Sequence, residues 1–202
     1  MKKSFLLLTL SFLFVIAGKS QFVEYNGLGK VCLISGDTVS GYLSHSPSSS
    51  NSVFITPDGE KKAVKYKPEE LSGFSILDKT WFTEVLKGLG SVPHFVQAVN
   101  PVDYKIRLYL YETQNSITTG GVAEFKQNYY VFFPGKESAI SIGDLSLRPI
   151  DEKISELVSD CAELSLKIKN KEKGYFFGAI SSDEMKLEVF KTIAAEYQTC
   201  NR

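Results

Sequence analysis

Cysteine and histidine are scarce in this chain, and their scarcity limits the chemistry that the sequence can support. The 202 residues include three cysteines and two histidines. Neither histidine has a cysteine, histidine or carboxylate neighbour at the spacing of a metal site. The sequence also contains no GxSxG nucleophile elbow and no HExxH zinc motif. It therefore predicts no metal, no cofactor and no catalytic residue, and we expect that the protein is not an enzyme.

Long apolar runs are also missing after residue 20, so the mature chain has no candidate membrane span of about 20 apolar residues. The longest run, residues 5–17, follows Lys2 and Lys3 and ends in small residues at Gly18 and Ser20. This pattern is typical of a secretory signal peptide. No cysteine follows the apolar core, so we do not expect a lipoprotein anchor. We expect cleavage near Ser20 or Gln21, and a protein that is periplasmic, associated with the outer envelope, or secreted.

The chain has no excess of positive charge either. It carries 23 basic and 23 acidic residues, and loss of Lys2, Lys3 and Lys19 with the leader leaves 20 basic against 23 acidic. A net charge of about −3 argues against a nucleic-acid partner. The partner that we expect is another envelope protein or a peptide, with the oligomeric state left open.

Short strand patterns separated by turn residues make up most of the chain after the leader. Gly36 and Asp37 form a turn between residues 30–35 and 38–43, and the Pro-Asp-Gly turn at 57–59 separates residues 53–56 from 62–66. A helical turn is predicted at 68–71. The further predicted strands are residues 73–77, 79–86, 94–99, 104–111, 129–133 and 139–142. The segments 87–90 and 114–121 are predicted to be turns or loops.

This pattern predicts an α+β fold with an antiparallel, β-rich body of about eight to ten short strands. The body is a curled sheet, a sandwich or a partly open barrel. We divide the chain into a signal peptide at residues 1–20, a β domain at 21–148 and a C-terminal helical cap at 149–202.

The cap begins where turn residues become rare and apolar residues recur at helical spacing. Residues 154–168 form either one helix or two short helices that break at Ser159 and Asp160. The second alternative arises because Asp160 followed by Glu163 resembles a capping box.

A second capping-box pattern, Ser181 followed by Glu184, precedes an amphipathic stripe that ends at Tyr197. We expect this helix to pack its apolar stripe on the sheet.

The odd number of cysteines allows at most one internal disulfide. We expect it between Cys161 and Cys200, because both lie on helical segments of the cap and export exposes them to oxidising conditions. Two reduced cysteines packed in the core are the alternative. Cys32, in an apolar strand, is the expected unpaired thiol.

The run at residues 104–111 alternates most regularly. Strand geometry sends Ile106, Leu108 and Leu110 to one face, which we assign to the core. The candidate partner-binding face is then formed by Lys105, Arg107, Tyr109 and Tyr111. Tyrosine and arginine are enriched in interfaces. The alternative is that the C-terminal helix covers this face and the tyrosines are core residues.

Both histidines are predicted to lie on the surface, His45 in a serine-rich loop and His94 beside Pro93. The leading interpretation is a binding or structural domain without catalytic activity. The alternative is a secreted hydrolase whose site is assembled from residues scattered along the chain, for which a serine or aspartate bonded to either histidine would be the sign.

Several segments together resemble a widespread group of exported Bacteroidetes proteins whose activity is uncharacterised. The segments are GDTVSGYL at 36–43, YKPEELSGFSI at 66–76, IRLYLYE at 106–112, SDCAEL at 159–164, KIKN at 167–170 and AAEYQTC at 194–200. The group's pattern is GDTxxG, then YxPxx(I/L)xGF, then DCxxLxxKI and a final YNxC, where this chain has Gln198 in place of asparagine. The resemblance implies an exported envelope protein and supplies no activity.

Overall fold

The computed structural model describes residues 24–47, 51–115, 124–143, 150–178 and 180–200. The predicted leader at residues 1–20 lies outside these residues. The described chain forms a ten-stranded sheet followed by three α-helices, which confirms the predicted α+β class and the β-rich body.

The strands are β1 Tyr25–Leu33, β2 Thr38–His45, β3 Val53–Pro57, β4 Val64–Tyr66, β5 Leu71–Ile76, β6 Lys79–Val85, β7 Pro93–Ala98, β8 Arg107–Asn115, β9 Glu124–Phe132 and β10 Ile140–Ser141. The helices are α1 Ile150–Leu157, α2 Ala162–Lys169 and α3 Asp183–Cys200. The predicted helical turn is a 3-10 helix at Pro68–Glu70. None of the helices in the described segments is long and apolar enough to cross a membrane.

The strands are ordered β10-β9-β8-β7-β6-β5-β1-β2-β3-β4, and each neighbouring pair is antiparallel. Two meanders, β1–β4 and β5–β10, are therefore joined through the pairing of β1 with β5. Because β4 and β10 remain at opposite edges, the body is an open sheet.

We call the side of the sheet that carries the helices the front face, and the other side the back face. The front face carries Val31, Leu43, Ile55, Phe74, Trp81, Phe95, Leu108 and Val131. The back face carries Leu28, Tyr42, Phe54, Phe82, Val96, Tyr109 and Tyr130. Leu108 and Val131 pack with α1, α2 and α3 in one core cluster.

The front face is concave between β1 and β8. The Tyr25 hydroxyl on β1 donates to Glu112 Oε2 on β8 at 2.9 Å, although three strands separate β1 from β8 in the sheet. Gly29 and Gly41 face each other on this side, and a Cβ built on Gly41 would lie 2.2 Å from the Thr56 carbonyl oxygen. The strands can coil this tightly because these two positions carry no side chain.

A smaller core lies on the back face. Leu86, just after β6, forms a parallel bridge with Ala139, just before β10. Both pack against Val96, Tyr109 and Tyr130, and all five side chains are buried. The back face of β7–β9 is therefore covered around these residues.

Residues 150–169 form two helices, which selects one of the two alternatives for this segment. The break lies at residues 158–161, but the predicted Asp160 capping box does not form. Cys161 is the N-cap of α2 and no side chain caps that end. Asp160 Oδ2 instead accepts a 2.6 Å hydrogen bond from the Tyr197 hydroxyl on α3. A tertiary contact has thus replaced the local one.

The cap of α3 is displaced by one residue from its predicted position. Ser182 Oγ, and not Ser181, accepts from the Met185 backbone N–H at 3.3 Å. Most of the apolar stripe is placed as expected, since Phe190, Ile193, Ala194 and Tyr197 are buried against the sheet and the other helices. Met185, at its predicted start, is 61 % exposed.

The hairpin of β8 and β9 is longer than its hydrophobic pattern predicted. The strands pair from Arg107 with Phe132 to Asn115 with Glu124. The residues added to the prediction, 112–115 and 124–128, are mostly polar, so the apolar alternation did not mark them. Of the predicted loop at 114–121, residues 116–121 lie outside the described chain.

Candidate binding surfaces

Tyr109, one of the four residues of the predicted partner face, has a completely buried side chain. Its hydroxyl donates to Glu84 Oε1 at 2.6 Å. Burial raises the pKa of Tyr109, and the neighbouring Glu84 carboxylate raises it further. A neutral tyrosine is the form that this site holds, and no part of its side chain can reach a partner.

Arg107 lies close to Tyr109 and to two further aromatic side chains. Its guanidinium is 3.3 Å from Glu84 Oε1 and stands over the ring of Phe132, with a centroid distance of 4.5 Å. The centroid of the Phe82 ring lies 5.6 Å from the same guanidinium. The charge of Arg107 is therefore already paired, and its side chain is 28 % exposed.

The other two predicted face residues lie apart from this network. Lys105 is exposed, and its backbone N–H donates to Gln198 Oε1 on α3 at 2.9 Å. Tyr111 is half-buried, and its hydroxyl lies 3.2 Å from His94 Nδ1. The cover over Tyr109 comes from the back-face core and not from the C-terminal helix, which packs on the front face. Partner binding by Lys105, Arg107 and Tyr111 stays a prediction.

His45 is buried, so its predicted surface position is wrong. Only 3 % of the residue is exposed, and its ring is surrounded by Tyr25, Phe74, Trp81 and Phe95. Its Nδ1 lies 3.0 Å from the Ser52 carbonyl oxygen. Burial lowers the pKa of His45, and the Ser52 carbonyl offsets part of that effect. The sequence-based interpretation failed because the predicted loop began at His45, whereas β2 extends through His45.

His94 is half-buried on the back face, directly opposite Glu84 in the β6–β7 pairing. Burial lowers its pKa, against a smaller effect of Glu69. The hydrogen bonds of the two histidines run to a backbone carbonyl and to a tyrosine hydroxyl. Neither bond joins a histidine to a serine or aspartate side chain, the arrangement that the hydrolase interpretation requires. No group of three or more potential metal ligands occurs in the part of the chain that the structure describes.

The cysteine assignment is confirmed. Cys161 and Cys200 form a disulfide with Cα atoms 5.8 Å apart, and Cys32 is a free thiol. The disulfide joins the N-cap of α2 to the last residue of α3. Cys32 is half-exposed and points to the back face, so it is less buried than expected.

The back face of β1–β3 forms an exposed apolar surface that the sequence analysis missed. Leu28 is 68 % exposed, Tyr42 is 53 % exposed and Phe54 is 40 % exposed. Leu28 pairs directly with Tyr42, and Phe54 lies diagonally next to Tyr42 on the following strand. The signal was the adjacent apolar pairs Tyr42–Leu43 and Phe54–Ile55, since neighbouring strand residues point to opposite faces.

A groove of about 320 Å³ continues this surface across β1, β5 and β6. Lys30 and Cys32 on β1 line one side, Phe82 on β6 lines the other, and Val102 from the β7–β8 connection also contributes. The apolar surface and the groove together form what we call the outer surface. No family model, curated protein or solved structure matches the chain.

Proposed function

We propose that this chain is an exported binding domain without catalytic activity, and that its outer surface docks a polypeptide segment of another envelope protein. The observation that carries the proposal is the adjacency of Leu28, Tyr42 and Phe54, all well exposed on one sheet face. Exposed and contiguous apolar side chains are typical of interaction sites.

The charges beside this surface favour an acidic segment. Lys30 follows Leu28 on the same face of β1, and Lys65 stands over the Phe54 ring with a centroid distance of 5.6 Å. Both lysines are exposed. Glu24 lies at the far end of β1, where its carboxylate accepts from Ser44 Oγ. The partner segment therefore combines apolar side chains with carboxylates that meet Lys30 and Lys65.

Three features support export. The leader has the composition of a signal peptide, the chain resembles exported Bacteroidetes proteins, and a disulfide joins α2 to α3. Disulfides persist mainly in oxidising compartments. Cell fractionation and N-terminal mass measurement test this directly. Intact full-length protein recovered from the cytoplasm would contradict export.

Docking is tested by capturing binding partners from envelope extracts and measuring the affinity of an identified partner for variants. We expect Tyr42→Ser to weaken binding by roughly tenfold or more, since large central aromatic residues dominate interfaces. The matched control is Leu166→Ser, which removes a side chain of similar exposure, 57 %, from α2. Both variants should keep the wild-type melting temperature.

High salt should also weaken the complex, because the lysines pair with acidic groups at an exposed surface. Equal affinity of Tyr42→Ser and Leu166→Ser would exclude the outer surface as the docking site. Self-association of the wild type that Tyr42→Ser abolishes would assign the surface to a second copy of this chain instead.

A further inference from the structure

A second concave site lies at the other end of the molecule, between the sheet and α1. Its cavity measures about 440 Å³, within the range of small-molecule sites. It is lined by Lys87, Gly135, Lys136, Glu137, Ser138, Ile140, Lys153 and Leu157. Neither Leu28 nor Tyr42 contributes to it, so it is independent of the outer surface.

Three chain segments surround this cavity, and backbone hydrogen bonds join two of them. The Lys87 N–H donates to the Ala139 carbonyl at 2.9 Å, and the Ala139 N–H donates to the Val85 carbonyl at 3.0 Å. These bonds fix the turn after β6 against the segment that precedes β10. On the opposite wall, Lys153 and Leu157 lie four residues apart in α1 and so share one face of that helix.

The cavity carries uncompensated positive charge. Lys87, Lys136 and Lys153 line it with a single carboxylate, that of Glu137. None of the three lysines forms an ion pair within the described residues. Lys167 on α2, by contrast, contacts both Glu163 and Glu196. Like charges gathered in a concave site without counter-ions focus a positive potential there.

We propose that this cavity binds a small anion that bears phosphate or carboxylate groups. The three ammonium groups, carried by three different chain segments, supply charge-assisted donors. The Ser138 hydroxyl adds a neutral donor, and Ile140 and Leu157 provide an apolar wall for a carbon framework. The cavity is therefore locally positive, although the mature chain is expected to carry a net negative charge.

Titration of the purified protein with inorganic pyrophosphate and, separately, with citrate tests the proposal and distinguishes the two anion chemistries. Isothermal calorimetry gives the affinity, and amide chemical shifts locate the site. We expect saturable binding of at least one of them, with the largest shift changes at residues 135–140 and around Lys153.

Removing a positive charge from the cavity should weaken anion binding, and removing its negative charge should strengthen it. Lys153→Ala and Lys136→Ala should each weaken binding by roughly tenfold, because each removes a charge-assisted hydrogen bond. Glu137→Gln should tighten binding by removing the repelling carboxylate. Lys61→Ala, a change of the same charge in the turn between β3 and β4, should leave the affinity unchanged.

Opposite changes in affinity for the lysine variants and for Glu137→Gln distinguish a binding role from a structural one. Melting temperatures confirm that each variant is folded. Lys153→Gln replaces Lys153→Ala should the latter fail to fold. The proposal is overturned by the absence of saturable binding of both anions, by shift changes confined to other regions, or by equal losses in Lys61→Ala and Lys153→Ala.

Discussion

At the scale of single residues, the Tyr109 hydroxyl shows how a polar group can occupy a core position. It is fully buried, but it donates to Glu84, which also contacts Arg107. The sequence analysis predicted Tyr109 as a surface residue because strand alternation placed it on the other face of β8 from Leu108. In the structure both faces of β8 are covered, one by the helices and the other by the back-face core.

Tyr109→Phe should lower the free energy of unfolding by about 1–3 kcal/mol, because it leaves a mostly buried Glu84 oxygen without its tyrosine donor. Urea denaturation monitored by circular dichroism measures the change. Tyr129→Phe is the matched control, since that hydroxyl makes a long, exposed contact of 3.4 Å with Gln127. A cost equal to that of Tyr129→Phe would show that the Glu84 contact contributes little.

His45 should make stability depend on pH. Its pKa is lowered in the folded protein from the ordinary value of 6.5, so the unfolded chain binds more protons as the pH falls below that value. The stability contribution is present above pH 6.5 and is lost as the pH falls towards the folded pKa. We therefore expect the stability advantage of wild type over His45→Gln to shrink between pH 7 and pH 5.

Chemical denaturation at a series of pH values measures that difference. His94→Gln is a suitable comparison, because His94 is shifted in the same direction but is less buried. A wild-type advantage that stays constant with pH would mean that His45 is protonated equally in the folded and unfolded states.

At the scale of secondary-structure elements, the curl of β1–β3 depends on glycine. The Gly41 position is enclosed by the backbone of β3, with the Thr56 carbonyl oxygen 2.2 Å from the place of a Cβ. Gly41→Ala should therefore force the strands apart and destabilise the protein by at least about 2 kcal/mol. The neighbouring Ser40→Ala, on the exposed face of β2, should change stability by less than about 0.5 kcal/mol. Thermal unfolding of the two variants provides the comparison, and equal melting temperatures would contradict the close approach of β2 and β3.

The Cys161–Cys200 disulfide ties two helices that are otherwise joined by a long connection. It closes a loop with a sequence separation of 39 residues. In the chain-entropy account, such a loop contributes roughly 3–4 kcal/mol to stability. The Cys161→Ser/Cys200→Ser variant should lose an amount of this size. Cys32→Ser, which removes the free thiol, should retain nearly all of the wild-type stability.

Reductant provides an independent check of the same bond. A reducing agent should lower the melting temperature of wild type and of Cys32→Ser, but not that of the double variant. Labelling of all three thiols in denatured, unreduced protein would show that the disulfide is absent.

At the scale of the whole molecule, three core clusters share one sheet, two on the front face and one on the back face. Tyr25 meets Glu112 across the concave front face, whereas Leu86 and Ala139 close over the back face of the second meander. The back face is therefore buried around Leu86 and Ala139 and exposed over β1–β3. The outer surface is the open part of the back face, and the lysine-lined cavity lies beside the bridge that joins Leu86 to Ala139.

Local patterns in the sequence were sufficient to predict most of the strands, the C-terminal helix and the disulfide partners. Gly36 with Asp37, and the Pro-Asp-Gly turn at 57–59, mark their hairpins because these residues favour tight turns wherever the strands are placed. The helical stripe near the C-terminus was equally clear, since its period of 3.6 residues is a property of the segment itself.

The tertiary structure alone decided which surfaces are buried and which groups meet. Asp160 bonds to Tyr197 instead of capping α2, and His45 lies under a ring of aromatic side chains drawn from β1, β5, β6 and β7. A period of two residues separates the two faces of a strand, but it does not say what will cover either face. That cover comes from residues distant in the chain: Leu86 and Ala139 pack over Tyr109 on the back face, whereas Tyr42 on the same face stays exposed.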